Sequence, residues 1–210
     1  PQNNAVYCLP MTRKRRKKAA RRASVKAVPA IQLEPETKRI ISGIIPGRGA
    51  INAQAYVCIP NVNLQNGLNW MSQGLLPQQV LDSLVAKDAC ASGGATSYNP
   101  AYRQYGIVDL DSANNSLSVG YTGTSANDYK GHRTGPNYSI QGNILLGPEI
   151  LDSMEARFLN TTGDLACKLM SALQGGNVIG ADQRCTTYSS SSRSAYIRVA
   201  KTGDNADTLW

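Results

Sequence analysis

Residues 131–147 read GHRTGPNYSIQGNILLG and hold the chain's only histidine, His132, together with Thr134, Gln141 and Asn143. An unperturbed imidazole changes charge near neutral pH and can take or give a proton. The carboxamides of Gln141 and Asn143 can donate to an oxyanion or hold a polar substrate. The plainer reading is a hydrogen-bonding histidine in a glycine-rich turn, with both amides bonded to nearby backbone around Gly142. A Ser–His–Asp triad would have to use His132, and no GxSxG elbow is present to supply its serine. Elsewhere, Asp182 and Arg184 in GADQR are spaced to form an ion pair or to orient a carboxylate. Arg103 and Gln104 open a strand-like run and read either as facing a cleft or, more simply, as a solvated edge. Arg48, in PGRG, lies in a turn and is a similar candidate. Arg48, Arg103, Thr134, Asp182 and Arg184 are therefore the substrate-contact candidates, and His132, Gln141 and Asn143 the catalytic ones. The acids are scattered with no DxD or HExxH arrangement, and GGATSYN has no phosphate-loop lysine. No metal and no cofactor is expected.

The elements that would position these residues follow from periodicity. KRIISGII (38–45) and AINAQAYVCI (50–59) read as strands on either side of Pro46-Gly47. NLQNGLNWMSQG (63–74) and LPQQVLDSLVAKDA (76–89) carry apolar residues at helical spacing, the second with Pro77 at its first position. RQYGIVDL (103–110) and NSLSVGYTG (115–123) read as two further strands joined by DSANN. GPEILDSMEARFLN (147–160) and TTGDLACKLMSALQGG (161–176) are helices, the latter stopped by glycines. SAYIRVA (194–200) reads as a closing strand. The order ββ, αα, ββ, αα, β implies an α+β layered domain with antiparallel strand pairs and helix pairs covering sheet faces.

With 210 residues, 41% of them apolar, the chain suits a single domain with its own core. No apolar run reaches membrane-spanning length, and no signal peptide is legible. The net charge of +8 is local: residues 13–26 carry nine of the 22 Lys and Arg and no acid. The body is near neutral, which excludes reading the whole chain as a nucleic-acid binder. The arm itself (Arg13, Lys14, Arg15, Arg16, Lys17, Lys18, Arg21, Arg22) could neutralise phosphates in a salt-dependent way, or be a solvated tail. Of the five cysteines, no two have CxxC spacing, and the odd count favours buried free thiols. Cys90 and Cys185 lie in polar, loop-like stretches and are the pair that spacing leaves open.

GHRTGPNYSIQGNILLG, followed by ILDSMEARF, LACKLMSALQGG, GADQR and SAYIRVA, resembles the family catalogued as domain of unknown function 1028. IIPGRGAINAQA, GLLPQQVLDSLVAKDA and RQYGIVDL resemble it too, so the likeness spans about residues 31–200. It implies an Ntn-hydrolase-like fold, a four-layer αββα sandwich, with hydrolysis of amide-type bonds as the expected activity. It also implies a small-molecule or peptide-like substrate, leaves a homo-oligomer open, and points to export without a legible signal. Two departures stand out. Cys185 replaces the usual glycine after GADQR, and the family's first strand, whose first residue is the Ntn nucleophile, is absent. A one-base shift of the codons for MTRKRRKKAARRA spells residues close to the family's DPETGEVGSAG. The expected organisation is therefore a basic segment over 1–30, disordered or out of frame before about Ala23, a domain over 31–200, and a truncated tail over 201–210. If so, this copy lacks its nucleophile. The competing functions are a non-catalytic binding domain on the same fold and nucleic-acid binding through residues 13–26.

Overall fold

The computed structural model describes residues 41–193 and 195–204. The basic arm, the start of the first strand-like run (38–40) and the end of the tail lie outside the described residues.

Four strands form one antiparallel sheet in sequence order: β1 (Ser42–Ile45), β2 (Gly49–Gln54), β3 (Gln104–Leu110) and β4 (Ser116–Thr122). Helices α1 (Val62–Ser72) and α2 (Pro77–Ala86) lie between β2 and β3 in the chain. A hairpin of β5 (Gly131–Gly135) and β6 (Tyr138–Gly142) forms a second sheet, followed by α3 (Pro148–Asn160) and α4 (Leu165–Gly175). The molecule is thus α+β with antiparallel sheets, as the periodicity implies.

Each helix begins where its local chemistry says it should. Pro77 and Pro148 occupy first-turn positions, where a missing N–H costs nothing. Asp164 caps α4 by accepting from the Cys167 N–H. The side chains at helical spacing are the buried ones: Val80, Leu81 and Leu84 in α2; Ile150, Leu151, Met154 and Phe158 in α3. The crossing of α3 and α4 is close because Gly175 has no side chain; a Cβ there would sit 2.8 Å from the Met154 backbone.

Two separate apolar cores result. Ile51, Ala53, Tyr105 and Ile107, on one face of the larger sheet, pack on Leu64, Met71, Val80 and Leu84 of α1 and α2. Tyr138 and Ile140, on one face of the hairpin, pack on α3 and α4 through Met154, Phe158, Leu165 and Leu169. Because strand side chains alternate, the remaining faces meet each other, and they are polar. Asn52, Gln54, Gln104, Ser139 and Gln141 are all buried. The two faces come together over glycines: a Cβ on Gly106 would lie 2.2 Å from Gln141 Oε1, and one on Gly120 would lie 2.6 Å from His132 Cδ2. The outer layers of apolar contact therefore enclose a polar middle.

Three expectations are corrected. GHRTGPNYSIQG is a hairpin of two short strands and not a turn leading into a helix. Residues 195–200 carry the alternation of a strand, with Ile197 and Val199 on the α3–α4 core and the Tyr196 hydroxyl 2.6 Å from Ser42 Oγ. They nevertheless have no ladder partner among the described residues. Finally, Cys58 and Cys90 form a disulfide, while Cys185 is buried and free. The pair is set by the loop after α2, which folds back so that the two Cα atoms stand 5.4 Å apart. Spacing along the chain carries no trace of that approach. Among the described residues no helix is long and apolar enough to cross a membrane.

Candidate functional site

The polar middle is most developed at the end where β2 and β4 finish, β3 and β5 begin, and β6 finishes. Gln104, the first residue of β3, is fully buried. Its Nε2 group donates to the carbonyl oxygens of Gly142 (2.8 Å) and Gly131 (3.2 Å), tying the larger sheet to both strands of the hairpin. It also lies 3.1 Å from Thr122 Oγ1. Two carbonyl acceptors fix which way this amide points, so its Oε1 must face the neighbouring strand. There it accepts from Gln54 Nε2 at 3.0 Å, Gln54 and Gln104 being cross-strand partners. The Gln54 amide is thereby oriented as well, and its own Oε1 is left buried without a hydrogen-bond partner among the described residues. Reversing Gln54 would set two amide oxygens against each other. The bare acceptor thus follows from the network around it, and a buried acceptor without a donor costs about 1–3 kcal/mol.

From Gln104 the network continues to His132. Thr122 Oγ1 stands 2.9 Å from His132 Nδ1. The Thr122 hydroxyl can donate to Nδ1 or accept from an Nδ1–H, so this contact joins ring and strand in either neutral tautomer. Burial, and then the positive charge of Arg133, hold the imidazole below its usual pKa. His132 is therefore uncharged at neutral pH. Arg133 itself points to the other face of the hairpin and pairs with Asp152 of α3 at 2.6 Å.

Gln141 lies under Gly106 and accepts from Ser139 Oγ at 3.2 Å. Thr134 is on the same face, with its methyl group over Gly120. Asn143 follows the end of β6; it is half-buried and its carboxamide makes no hydrogen bond within the described residues. The structure therefore brings His132, Thr134 and Gln141 onto one face and sets Asn143 just beyond its end.

The other candidates lie elsewhere. Arg103 is not a solvated edge but is almost wholly buried. Its donors reach Asp88 (2.8 Å) and the carbonyls of Tyr56, Cys90 and Thr96, together with Ser92 Oγ. It pins the loop between α2 and β3 beside the disulfide. Asp182 and Arg184 form the ion pair at 2.6 Å; Asp182 is buried and Arg184 largely exposed. Asp182 bridges to Leu145 and lines a cavity of about 420 Å³ along the outer edge of β6, with Gln141, Met154, Leu173 and Tyr196. Arg48 pairs with Asp109 at the opposite end of the sheets. Gln54, Thr122 and Ser139 are the residues sequence reasoning missed. The signal for Gln54 and Thr122 was an alternation of small and polar residues, which on its own reads as a solvent face.

No group of three or more His, Cys, Asp or Glu side chains among the described residues is placed to hold a metal. The polar middle offers neutral amides, one neutral imidazole and two bare acceptors, Gln54 Oε1 and Asn52 Oδ1. Groups of this kind can hold polar, N–H-bearing partners; among the described residues no carboxylate hydrogen-bonds to His132.

The fold and site define an α+β domain of paired antiparallel sheets with a polar interface between them. The sequence model of a family of unknown function, DUF1028, matches residues 38–210, and the chain belongs to that family. A crystal structure of a protein from Silicibacter pomeroyi, described as a member of the same family, is similar to it, with a TM-score of 0.50 at 20% sequence identity. The match covers 65% of this chain and 54% of that one, so the chain spans about half the length of that relative. Among curated proteins no match is found.

Proposed function

We propose that the chain is an αββα sandwich of the Ntn-hydrolase type that acts on an amide-type bond held at its amide-lined end. The layer order is supported by the placement of α1 and α2 on the outside of one sheet and of α3 and α4 on the outside of the other. The observation that carries the substrate class is the bare Gln54 Oε1, one of two such buried acceptors with Asn52 Oδ1 on the same strand face, which fits a substrate N–H. Asn143, whose carboxamide is uncommitted, is the donor for the substrate carbonyl. His132 holds Thr122, and through it the Gln104 network, in one arrangement. The nucleophile is assigned to none of the described residues. The test is hydrolysis of a panel of N-acyl p-nitroanilides by full-length protein with its native N-terminus. Turnover with a KM that rises in Gln54→Met while kcat holds supports the reading; no turnover on any member sinks the enzymatic part.

A second reading is a non-catalytic binding domain on the same fold. What favours it is that His132 bonds a strand threonine and has no carboxylate on its other nitrogen among the described residues. Binding of the same anilides without turnover, lost in Gln54→Met, would select it.

A further inference from the structure

The opposite end of the sheet interface carries a second cavity, of about 420 Å³, that the site above does not use. Its walls come from the Pro46–Gly49 turn, the ends of β3 and β6's hairpin, the α3–α4 junction and residues 198–200. One side is apolar, with Ile44, Val108, Phe158 and Leu165. Among the described residues the cavity is also lined by Arg48, Lys168 and Arg198, and by Asp164.

Arg48 is held in an unusual way. Both oxygens of Asp109 take its Nε–H, at 3.0 and 3.2 Å, and Asp109 is fully buried and also accepts from the Leu110 N–H. The two terminal amino groups of Arg48 have no partner among the described residues. The guanidinium is thus anchored by its stem side while its planar end stays available. Lys168 has no ion pair within the described residues either; its ammonium stands 5.6 Å from the centre of the Phe158 ring, at the apolar wall.

We infer that this cavity binds a monocarboxylate with an apolar body. A planar carboxylate matches the free side of a guanidinium and forms charge-assisted hydrogen bonds there. Lys168 adds a second positive contact, and Ile44, Val108, Phe158 and Leu165 receive the hydrocarbon part. The one oriented fork, with Lys168 near it and apolar side chains behind, fits a single carboxylate group on an apolar body.

The experiment compares binding of 4-phenylbutyrate and its uncharged amide to the full chain by calorimetry, with backbone amide shifts to locate the contact. The acid binds, shifting residues 44–49 and 158–168, and the amide binds about tenfold more weakly for the loss of one charged contact. Lys168→Met lowers the affinity for the acid alone. Arg48→Lys keeps a cation beside Asp109 but removes the fork, and lowers it too. Equal binding of acid and amide, no binding at millimolar acid, unaltered affinity in both variants, or shifts confined to residues 104–122 and 141–143 would each overturn the assignment.

Discussion

Arg103 and Arg48 sit near opposite ends of the same sheet interface, and the contrast between them separates framework from site. Arg103 is spent on the protein: a buried aspartate, three backbone carbonyls and a serine hydroxyl take its donors. Arg48 is anchored through Nε alone, with a quarter of its side chain exposed, and it lines a cavity. The ends differ in the same sense. The groups that touch the Gln104 carboxamide are all neutral, and specificity there comes from the direction of amides. Around Arg48 the groups are charged. A guanidinium whose donors are all internally satisfied has nothing left to recognise a ligand, whereas one held by its stem has been oriented in advance.

The largest expected effect breaks the framework side of the contrast. Arg103→Met leaves Asp88 buried with only the Cys90 N–H as donor and frees three carbonyls and Ser92 Oγ, and thermal or urea unfolding should show a loss of about 3–5 kcal/mol. Arg48→Met likewise leaves buried Asp109 with only the Leu110 N–H, but Arg48 makes no other side-chain hydrogen bond among the described residues and is a quarter exposed, so it should destabilise distinctly less. Equal losses in the two variants would contradict the distinction. Next comes the disulfide that closes the loop Arg103 organises. Cys58→Ala with Cys90→Ala should cost about 2–4 kcal/mol in the same measurement, since the bridge closes a 32-residue separation.

Smaller effects probe the neutral end. Gln104→Leu removes the donor shared by Gly131 and Gly142 and should cost about 1–3 kcal/mol, with faster amide exchange along the β5–β6 hairpin. Gly120→Ala places a methyl group against the His132 ring and Thr134. It should cost about 1–3 kcal/mol and move the His132 ring resonances. The mildest is a pH effect. The folded-state pKa of His132 lies below its unfolded value, so the unfolded chain protonates first as pH falls. The contribution of His132 to stability is therefore full above the unfolded value and lost progressively as pH drops through it towards the folded one. An NMR titration of the ring should give a midpoint below that of free histidine, and His132→Gln should flatten the acidic limb of the stability profile.

The helices were legible because their signals are local: Pro77 at a first-turn position, the glycines that stop α4, and apolar residues every third or fourth place. β3 and β4 were legible for the same reason. The β5–β6 hairpin was not. Its strands are five residues each, include Gly131, Gly135 and Gly142, and are polar on the face that meets the other sheet. The site was half visible. His132 and Gln141 stood out by residue type, whereas Gln54 looked like the solvent side of an alternating strand. Alternation reports that two faces differ, and is silent on whether the polar one meets water or a second polar sheet. The Cys58–Cys90 pair and the burial of Arg103 depend on a loop folding back, which leaves no periodic trace.

The central claim is that the Gln54 acceptor is kept bare for a substrate N–H. Its most direct test is the steady-state hydrolysis of N-acyl p-nitroanilides by the full-length protein and by Gln54→Met, each first checked for an unchanged fold. The account predicts turnover by the parent and a KM raised about tenfold in the variant, the worth of one hydrogen bond, with kcat retained. Identical KM values, or a parent that neither turns over nor binds any of the anilides, would contradict it.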